Sequence, residues 1–291
     1  MVSRSFLKRV FSILYVILML FSKVYGPLLP ERDIYERGEN KLRVISFNVL
    51  CFGAGKNIAK KRVGIATQTI AEYYPDSFGV QEATPFWMTA LAANLPEYGF
   101  VGVGREDGFL LGEFSAVFYL KDKYEVVDSG TFWLSETPEK PSIGWDASFN
   151  RICTWAILEN KHTSVQYVHM NTHLDHRGEV ARDKSIDLIL EKATEFDLPV
   201  VFTGDFNIRE GSSLYEKMIS GILCDSKYIA KDMIESPTFH SFGKKSEIID
   251  YILVNDKIDV EVYRVITEGI DGRYVSDHYP IYIDFELSSK Q

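Results

Sequence analysis

The sequence predicts an α/β fold in which two mixed β-sheets pack face to face and helices cover the outside. Two observations lead to this fold class. First, apolar, β-branched runs typical of strands outnumber the amphipathic runs typical of helices. Second, along the chain, predicted strands that are separated by single helices are followed by predicted strands that are joined through hairpins. This order is neither strict strand–helix alternation nor all-β. The chain of 291 residues would permit two domains, but one domain over residues 42–288 accounts for the pattern.

The composition is that of a globular protein with an acidic balance. Hydrophobic residues make up 46% of the chain, charged residues make up 25%, and the formal net charge is −9. This balance argues against a protein that coats nucleic acid through a broad basic surface. Three cysteines, Cys51, Cys153 and Cys224, provide neither a disulfide framework nor the spacing of a zinc site. We expect a monomer.

The first residues have the layout of a targeting segment. Arg4, Lys8 and Arg9 precede an uncharged apolar run that Lys23 ends. We expect residues 1–26 to be a signal peptide or an N-terminal membrane anchor, because the apolar run is short for a span and the cleavage signal is poor. Either alternative makes the protein secreted or membrane-anchored and facing the non-cytoplasmic side. Residues 27–41, which are charged and polar from Glu31 onward, predict a linker.

Runs rich in β-branched and aromatic residues predict the strands, and Gly, Pro or Asp residues separate many of them. In chain order the strands cover residues 42–49, 77–82, 100–103, 114–120, 124–134, 151–158, 164–172, 200–203, 248–255, 260–267 and 279–287. The apolar residues of 57–74 share one face and therefore predict a helix, which Pro75 ends. The other predicted helices cover residues 86–94, 179–196 and 212–219. Residues 136–150 are rich in Pro, Gly and Trp and predict a long active-site loop.

The predicted polar site is built around the stretch Val-Val-Phe-Thr-Gly-Asp-Phe-Asn, residues 200–207. A buried strand leads into a glycine, followed by a carboxylate and an amide separated by one residue. If the extended backbone continues, Asp205 and Asn207 point to the same side and can together orient a water molecule. The alternative is an Asx-type turn after the strand.

Acids, amides and histidines recur at the ends of the apolar runs. They are Asn48, Glu82, His173, Asp205 with Asn207, Asp250, and Asp277 with His278. Each has an ordinary alternative: His173 as a satisfied core histidine, Asp250 as the partner of a buried arginine, and residues 276–280 as a capped turn. Together they predict a convergent polar site on a rigid scaffold.

Such a set supports metal-assisted attack of water on a phosphoester. Glu82, Asn48 and Asp277 offer the oxygen ligands that Mg²⁺ prefers. His278 is the predicted proton acceptor, with Asp250 holding its imidazole. Asp205 and Asn207 would orient the water, and His173 would donate to a non-bridging oxygen. Arg151 is either a phosphate clamp or a carboxylate-paired arginine.

Six ordered motifs resemble the endonuclease/exonuclease/phosphatase superfamily. They are Val-Ile-Ser-Phe-Asn (44–48), Val-Gln-Glu (80–82), Asn-Thr-His-Leu (171–174), Gly-Asp-Phe-Asn (204–207), Ile-Asp-Tyr-Ile (249–252) and Ser-Asp-His (276–278). The resemblance implies a four-layered α/β sandwich of the deoxyribonuclease I type and hydrolysis that depends on Mg²⁺, with Mn²⁺ as the alternative. It implies a metal site at Asn48 and Glu82 with Asp277 as a further ligand, and a histidine–aspartate couple of His278 and Asp250. It implies that His173 contacts phosphate and that Asp205 and Asn207 orient water and phosphate. The chain resembles the branch of nocturnin and the carbon-catabolite-repression deadenylases, and more closely small metal-dependent hydrolases of unassigned substrate.

Three functions follow from the sequence. The first is a phosphodiesterase or phosphatase acting on a small or lipid-derived phosphoester outside the cytosol. The second is a nuclease or 3′–5′ exoribonuclease of the deadenylase type, and the third is an inactive scaffold that binds a partner. The acidic balance and the targeting segment favour the first. A lipid substrate would require apolar loops beside the site, for which Trp133, Trp145 and Phe149 are candidates. The alternative is that the tryptophans belong to the core.

Overall fold

Within residues 41–269 and 273–288, which the computed structural model describes, the strands form two β-sheets. The predicted signal or anchor, 1–26, and the predicted linker through residue 40 lie outside the described residues. The strands are β1 (Leu42–Asn48), β2 (Ser77–Gln81), β3 (Tyr98–Val101), β4 (Val117–Leu120), β5 (Tyr124–Trp133), β6 (Ile152–Asn160), β7 (Gln166–His173), β8 (Val200–Asp205), β9 (Cys224–Asp225), β10 (Asp232–Ile234), β11 (Asp250–Val254), β12 (Ile258–Val265) and β13 (Ile281–Leu287). The α-helices are α1 (Ala59–Tyr73), α2 (Pro85–Asn94), α3 (Glu179–Thr194), α4 (Ser213–Ile219) and α5 (Ser226–Ile229). A 3₁₀-helix covers Gly55–Asn57.

Both sheets mix parallel and antiparallel pairs. The seven-stranded sheet has the order β10-β12-β13-β1-β2-β4-β3, and the six-stranded sheet has the order β5-β6-β7-β8-β11-β9. Apolar side chains of α1 and α2 share a buried cluster with the first sheet, and those of α3 and α4 share a second cluster with the other sheet. The first cluster also contains Tyr167 and Val201 of the six-stranded sheet, so the inner faces of the two sheets pack on each other. The predicted α/β sandwich is confirmed. No helix in the described part of the chain is both long and apolar enough to cross a membrane.

Several element boundaries differ from the sequence prediction. The strand expected over 114–120 begins at Val117, because Phe114 makes only an isolated bridge to Ala83. The strand expected over 100–103 covers Tyr98–Val101 instead. The short elements β9, α5 and β10 were not predicted, since two to four residues are too few to show a periodic pattern.

Strand direction brings the polar residues to one edge. Strands β1 and β2 are parallel with Asn48 opposite Gln81, and β7 and β8 are parallel with His173 opposite Asp205. Strand β11 runs antiparallel to β8 and places Asp250 opposite Asp205. The positions of four strand-end residues are therefore set by sheet register and not by loops; they are Asn48, His173, Asp205 and Asp250.

A buried polar layer joins the two sheets below this edge. Asn171 Nδ2 donates to the carbonyls of Val80 and Ala116 at 2.9 and 3.0 Å, and Gln81 Nε2 donates to Asn171 Oδ1 at 2.7 Å. The sheets approach so closely that a Cβ on Gly79 would lie 2.5 Å from Asn171 Oδ1. Glycine is therefore required there, and the hydrogen bonds fix the spacing of the sheets under the site.

His169 lies in the same layer, away from the strand-end residues. It is fully buried, with Nδ1 2.7 Å from Ser77 Oγ and Nε2 2.9 Å from Thr203 Oγ1. Burial lowers the pKa of His169 to about 3. The imidazole is consequently neutral in the folded protein over the physiological range.

We expect His169 to make the protein less stable as the pH falls from about 6.5 towards 3. The unfolded chain takes up a proton with a pKa near 6.5, whereas folded His169 does so only near 3. The unfolded state is therefore favoured by about 1.4 kcal/mol for each pH unit in that window. Urea unfolding between pH 7 and about 4 should show a shallower decline for His169→Gln than for the wild type. His162→Gln, at an exposed histidine, is the control, and equal slopes in all three proteins would contradict the prediction.

Candidate active site

Asp205 stands at the centre of the strand-end residues. Its Oδ2 accepts a hydrogen bond from Asn48 Nδ2 at 2.9 Å. The same oxygen lies 3.5 Å from His173 Nε2 and 3.7 Å from His278 Nε2. Burial, reinforced by the negative charge of Asp250, raises the pKa of Asp205 to about 7. A carboxyl group with this pKa can accept or release a proton near neutral pH.

Asn207 follows a turn rather than a continued strand. Strand β8 ends at Asp205, and Asn207 has a left-handed φ of 51°. Its backbone N–H donates to Asp205 Oδ1 at 3.1 Å, which is the Asx-type turn of the sequence alternative. The expectation of an extended backbone through Asn207 is therefore wrong. The turn keeps Asn207 beside the Asp205 carboxylate, and its Nδ2 donates to the Leu174 carbonyl at 3.1 Å.

Glu82 is held in an uncommon backbone conformation directly after β2. Its φ is 59°, a left-handed value that is rare outside glycine and concentrates at functional sites. Glu82 Oε1 accepts from Asn48 Nδ2 at 3.1 Å, and Oε2 accepts from the Cys51 N–H at 2.9 Å. Burial alone would raise its pKa, but the hydrogen bonds from Cys51 and Asn48 outweigh it and lower the pKa of Glu82. Glu82 is therefore a charged carboxylate at the strand end.

His278 and Asp250 form a buried pair. His278 Nδ1 lies 2.9 Å from Asp250 Oδ2, so Asp250 pairs with a histidine rather than with the arginine considered from the sequence. The backbone N–H of Asp250 donates to Thr238 Oγ1 at 3.1 Å, which fixes the start of β11. Burial alone would lower the pKa of His278, but the charges of Asp250 and Asp205 raise it to about 10. The imidazole therefore carries a positive charge at neutral pH.

His173, at the end of β7, differs from His278 in charge. It is buried, and its Nδ1 has no hydrogen-bond partner among the described residues. Burial, together with the positive charges of Arg151 and Arg105, holds the pKa of His173 well below its ordinary value. A neutral imidazole offers one N–H donor and one acceptor, so His173 can donate to an oxygen of a bound anion.

Asp277 approaches Glu82 from the loop before β13. Its carbonyl accepts from the backbone N–H groups of His240 and Ser241 at 2.9 and 3.0 Å, which hold the loop in place. Burial and the negative charge of Glu82 raise the pKa of Asp277. The two carboxylates therefore repel each other across the site.

Two sets of side chains in the described residues could hold a divalent cation. One ligand atom each from Asp205, Asp250 and His278 lie within 4.8 Å of one another. In that set, however, His278 Nδ1 and Asp250 Oδ2 already bind each other. The other set, Asn48, Glu82 and Asp277, contains no ring nitrogen. Asn48 Nδ2 donates to Glu82 Oε1 and Asn48 Oδ1 accepts from the Leu50 N–H at 3.0 Å, so the amide oxygen would bind a cation through its second lone pair. A cation there would relieve the repulsion between the two carboxylates. The second set therefore fits a hard cation such as Mg²⁺ better.

Arg151 lies at the site but is held by other residues. Its Nε lies 3.3 Å from Asp175 Oδ2, and its Nη2 lies 3.3 Å from His176 Nδ1. This is the carboxylate-paired alternative of the sequence analysis. Arg151 Nη1 is nevertheless buried without a hydrogen-bond partner among the described residues, so one edge of the guanidinium stays available. Burial and the charge of Arg105 lower the pKa of Arg151.

Arg105 and Arg62 are two buried arginines near the site that the sequence analysis missed. Arg105 binds Glu113 through Nη1 at 2.7 Å. Arg62 donates to the carbonyls of Leu50 and Val275 at 2.7 and 3.2 Å. It thereby connects the loop that contains Cys51 to the loop that contains Asp277. The only sequence signal for Arg62 is a charged residue within the apolar face of a predicted helix.

Exposed apolar side chains belong to loops that lead from the strand ends. Phe52 is 70% exposed one residue after Cys51, Leu111 is 62% exposed two residues before Glu113, and Phe149 is 46% exposed two residues before Arg151. Phe149 thus remains a candidate for contact with an apolar substrate. Trp133 does not, because it is 5% exposed and donates through Nε1 to the Arg105 carbonyl at 2.7 Å. Trp145 is half-buried.

Comparisons with known proteins agree with the geometry. A sequence model of the endonuclease/exonuclease/phosphatase family matches residues 45–278. The crystal structure of an endonuclease/exonuclease/phosphatase from Bacteroides vulgatus has 37% sequence identity and a TM-score of 0.82, covering 86% of this chain and 100% of that one. A mannosyl-6-phosphatase from Bacteroides thetaiotaomicron has 34% identity and a TM-score of 0.80, covering 84% and 100%. The human nocturnin catalytic domain shares the fold at 18% identity and a TM-score of 0.69, covering 88% and 97%.

Proposed function

The chain belongs to the endonuclease/exonuclease/phosphatase family of phosphoester hydrolases, and we propose that it hydrolyses a small or lipid-derived phosphoester with Mg²⁺ as cofactor. One observation carries the proposal. The Asp205 carboxylate lies within 3.7 Å of the ring nitrogens of His173 and His278 and accepts a hydrogen bond from Asn48. A proton-transfer group, two imidazoles and an oxygen-ligand set therefore share one pocket edge.

The cofactor would be held by oxygens of Asn48, Glu82 and Asp277. When bound there, Mg²⁺ would polarise a phosphoryl oxygen and offset the negative charge of the transition state. Mn²⁺, which accepts the same oxygen ligands, is the alternative.

The side chains of the site divide the remaining work. His173, neutral and with a free ring nitrogen, would donate to a non-bridging phosphoryl oxygen. Arg151 would contribute the donor at its unpartnered Nη1. Asp205 and Asn207, joined by their turn, would orient the attacking water.

The electrostatics favour Asp205 over His278 as the proton acceptor. A group that is already protonated cannot accept a proton, and the raised pKa of His278, about 10, keeps it protonated at neutral pH. Asp205, with a pKa raised to about 7, is suited to take the proton of the attacking water. His278 would then stabilise negative charge by donating from Nε2, while Asp250 holds its other nitrogen. The role predicted from the sequence, His278 as the proton acceptor, is the alternative.

The surroundings favour a small or lipid-derived substrate. The exposed Phe52, Leu111 and Phe149 supply apolar surface on the loops around the site. The hairpin over residues 104–113 contains Glu106, Asp107 and Glu113 against a single arginine, which is unfavourable for a polyanionic strand. The similarity to a mannosyl-6-phosphatase supports a phosphorylated sugar as one such substrate.

The two alternative functions, a nuclease and an inactive scaffold, would give different results from the proposed one in a single assay. Purified protein should be incubated with a sugar phosphate, sphingomyelin, single-stranded RNA and single-stranded DNA, each with Mg²⁺, with Mn²⁺ and with excess chelator. The proposal requires metal-dependent turnover of the sugar phosphate or the lipid at rates above those on RNA and DNA. Faster, salt-sensitive cleavage of RNA or DNA would identify a nuclease. Absence of turnover on all four with either metal would favour the inactive scaffold.

A further inference from the structure

We propose that Arg105 and Arg151 form a guanidinium pair that selects phosphomonoesters over phosphodiesters. The inference rests on the proposed function, because it assigns the substrate class of that same site. It adds Arg105, which no sequence motif marked, as a residue that positions the substrate.

The two guanidinium groups are both buried, and burial together with the charge of Arg105 lowers the pKa of Arg151. Arg105 is 8% exposed and Arg151 is 4% exposed. Their Cζ atoms lie 5.2 and 5.9 Å from the centroid of the Phe149 ring, so one aromatic side chain locates both. Arg151 Nε contacts Asp175, two residues after His173, at 3.3 Å, and the positive charges of both arginines act on His173, the predicted phosphate contact.

Each arginine keeps a buried nitrogen that is not hydrogen-bonded within the described residues. For Arg151 this is Nη1, and for Arg105 it is Nε. Arg105 Nε lies 3.5 Å from Glu106 Oε1, an ion-pair contact without a hydrogen bond. Leaving such donors unpaired is costly, so an acceptor is expected there when the protein works.

Contacts of other guanidinium nitrogens with carboxylates hold the two arginines in place. Glu113 binds Arg105 Nη1 at 2.7 Å, and Asp175 lies 3.3 Å from Arg151 Nε. Three backbone N–H groups, of Arg177, Gly178 and Ser148, donate to Asp175 at 2.9 to 3.0 Å and hold its carboxylate in place. Two fixed guanidinium forks match the tetrahedral oxygens of a phosphate better than flexible lysines would.

The pair distinguishes ester types by the number of non-bridging oxygens. A monoester presents three such oxygens and two negative charges, so one oxygen is left for the guanidinium pair after His173 and the cation have each taken one. A diester has only two, and its second ester arm would leave the buried donors Arg105 Nε and Arg151 Nη1 without an acceptor. Monoesters should therefore be preferred.

The test compares kcat/KM for p-nitrophenyl phosphate and bis-p-nitrophenyl phosphate with Mg²⁺. We expect the wild type to prefer the monoester. Arg105→Gln and Arg151→Gln should each lower kcat/KM for the monoester by about 10- to 100-fold, the loss of a hydrogen bond to a charged group, and change the diester value far less. Arg105→Lys, which keeps a charge for Glu113, should fold normally and lose the same preference. Arg177→Gln, at an exposed arginine next to Asp175 and His176, is the matched control and should keep the wild-type ratio.

Calorimetric titration with inorganic phosphate gives a readout that does not require turnover. The variants at Arg105 and Arg151 should bind phosphate about 10-fold or more weakly than the wild type. If the wild type turns over neither ester with any metal, the proposed function fails, and the phosphate titration still decides on the pair. If both esters are hydrolysed and the monoester-to-diester ratio is unchanged in the variants at Arg105 and Arg151, the guanidinium pair is not a selectivity device, whereas the proposed function stands.

Discussion

Replacing His278 with alanine is expected to lower kcat on the best phosphoester of the panel by about 10²- to 10⁴-fold. The substitution removes the imidazole whose Nδ1 is bound by Asp250 and whose Nε2 lies 3.7 Å from Asp205. It also removes the positive charge that counters the neighbouring carboxylates, so Asp205 should hold its proton more tightly and become a poorer acceptor at neutral pH. Initial rates at saturating Mg²⁺, with circular dichroism to verify folding, measure the effect.

Two further variants make this experiment specific. Asp250→Asn keeps the shape of the pair but removes the charge that raises the pKa of His278, and we expect a loss of similar order. His162→Gln, at an exposed histidine, should leave kcat unchanged. If folded His278→Ala retained near-normal turnover, neither the charge-stabilising role nor the proton-accepting role of His278 could stand.

The strand-end residues could be predicted because their positions are set by strand pairing. Asn48, His173 and Asp205 follow apolar runs that are unmistakable in the sequence, and parallel pairing brings the ends of such runs to one edge. A single sequence does not show which strands are neighbours. The resemblance to a known family supplied that step, and the structure shows the resulting register.

The turn at Asn207 could not be decided from sequence. An Asp followed two residues later by Asn fits both an extended strand and an Asx turn, since the same carboxylate can point outward or accept a backbone N–H. In the structure the turn is favoured because Asn207 Nδ2 donates to the Leu174 carbonyl. This contact joins residues 33 positions apart, so the local sequence does not reveal it.

Arg105, the member of the guanidinium pair that the sequence did not mark, was missed for a different reason. Arg105 belongs to a hairpin that is held by Asp107, whose Oδ1 accepts the backbone N–H groups of residues 109, 110 and 111 at 2.8 to 2.9 Å. Local side-chain-to-backbone bonds of this kind leave no periodic pattern. The sequence left Trp133 undecided between a loop contact and the core for the same reason, because its indole N–H donates to the carbonyl of Arg105, a residue on another hairpin.

Replacing Glu82 with glutamine is expected to weaken Mg²⁺ binding directly. Loss of a partner in the outer shell of a metal site already costs about 10- to 100-fold in affinity, so loss of a carboxylate ligand should raise the Mg²⁺ concentration for half-maximal activity by at least about 100-fold. Glutamine keeps the size of the side chain and one oxygen, so the contact with the Cys51 N–H can persist. Glu125→Gln, at an exposed position of β5, is the control for the loss of one carboxylate.

The same titration discriminates between the two donor sets. If the cation is held by Asn48, Glu82 and Asp277, then Glu82→Gln and Asp277→Asn shift the Mg²⁺ curve, whereas Asp250→Asn lowers the maximal rate without a comparable shift. If Asp205, Asp250 and His278 hold it instead, Asp250→Asn shifts the curve and Glu82→Gln does not. Physical chemistry favours the first outcome, because Mg²⁺ prefers oxygens and keeps several of its waters. A nearby cation would also stabilise the charged Asp277 carboxylate, whose pKa is raised by burial and by Glu82. Direct Mn²⁺ binding, followed by electron paramagnetic resonance in the same variants, would show whether the shift lies in binding or in turnover.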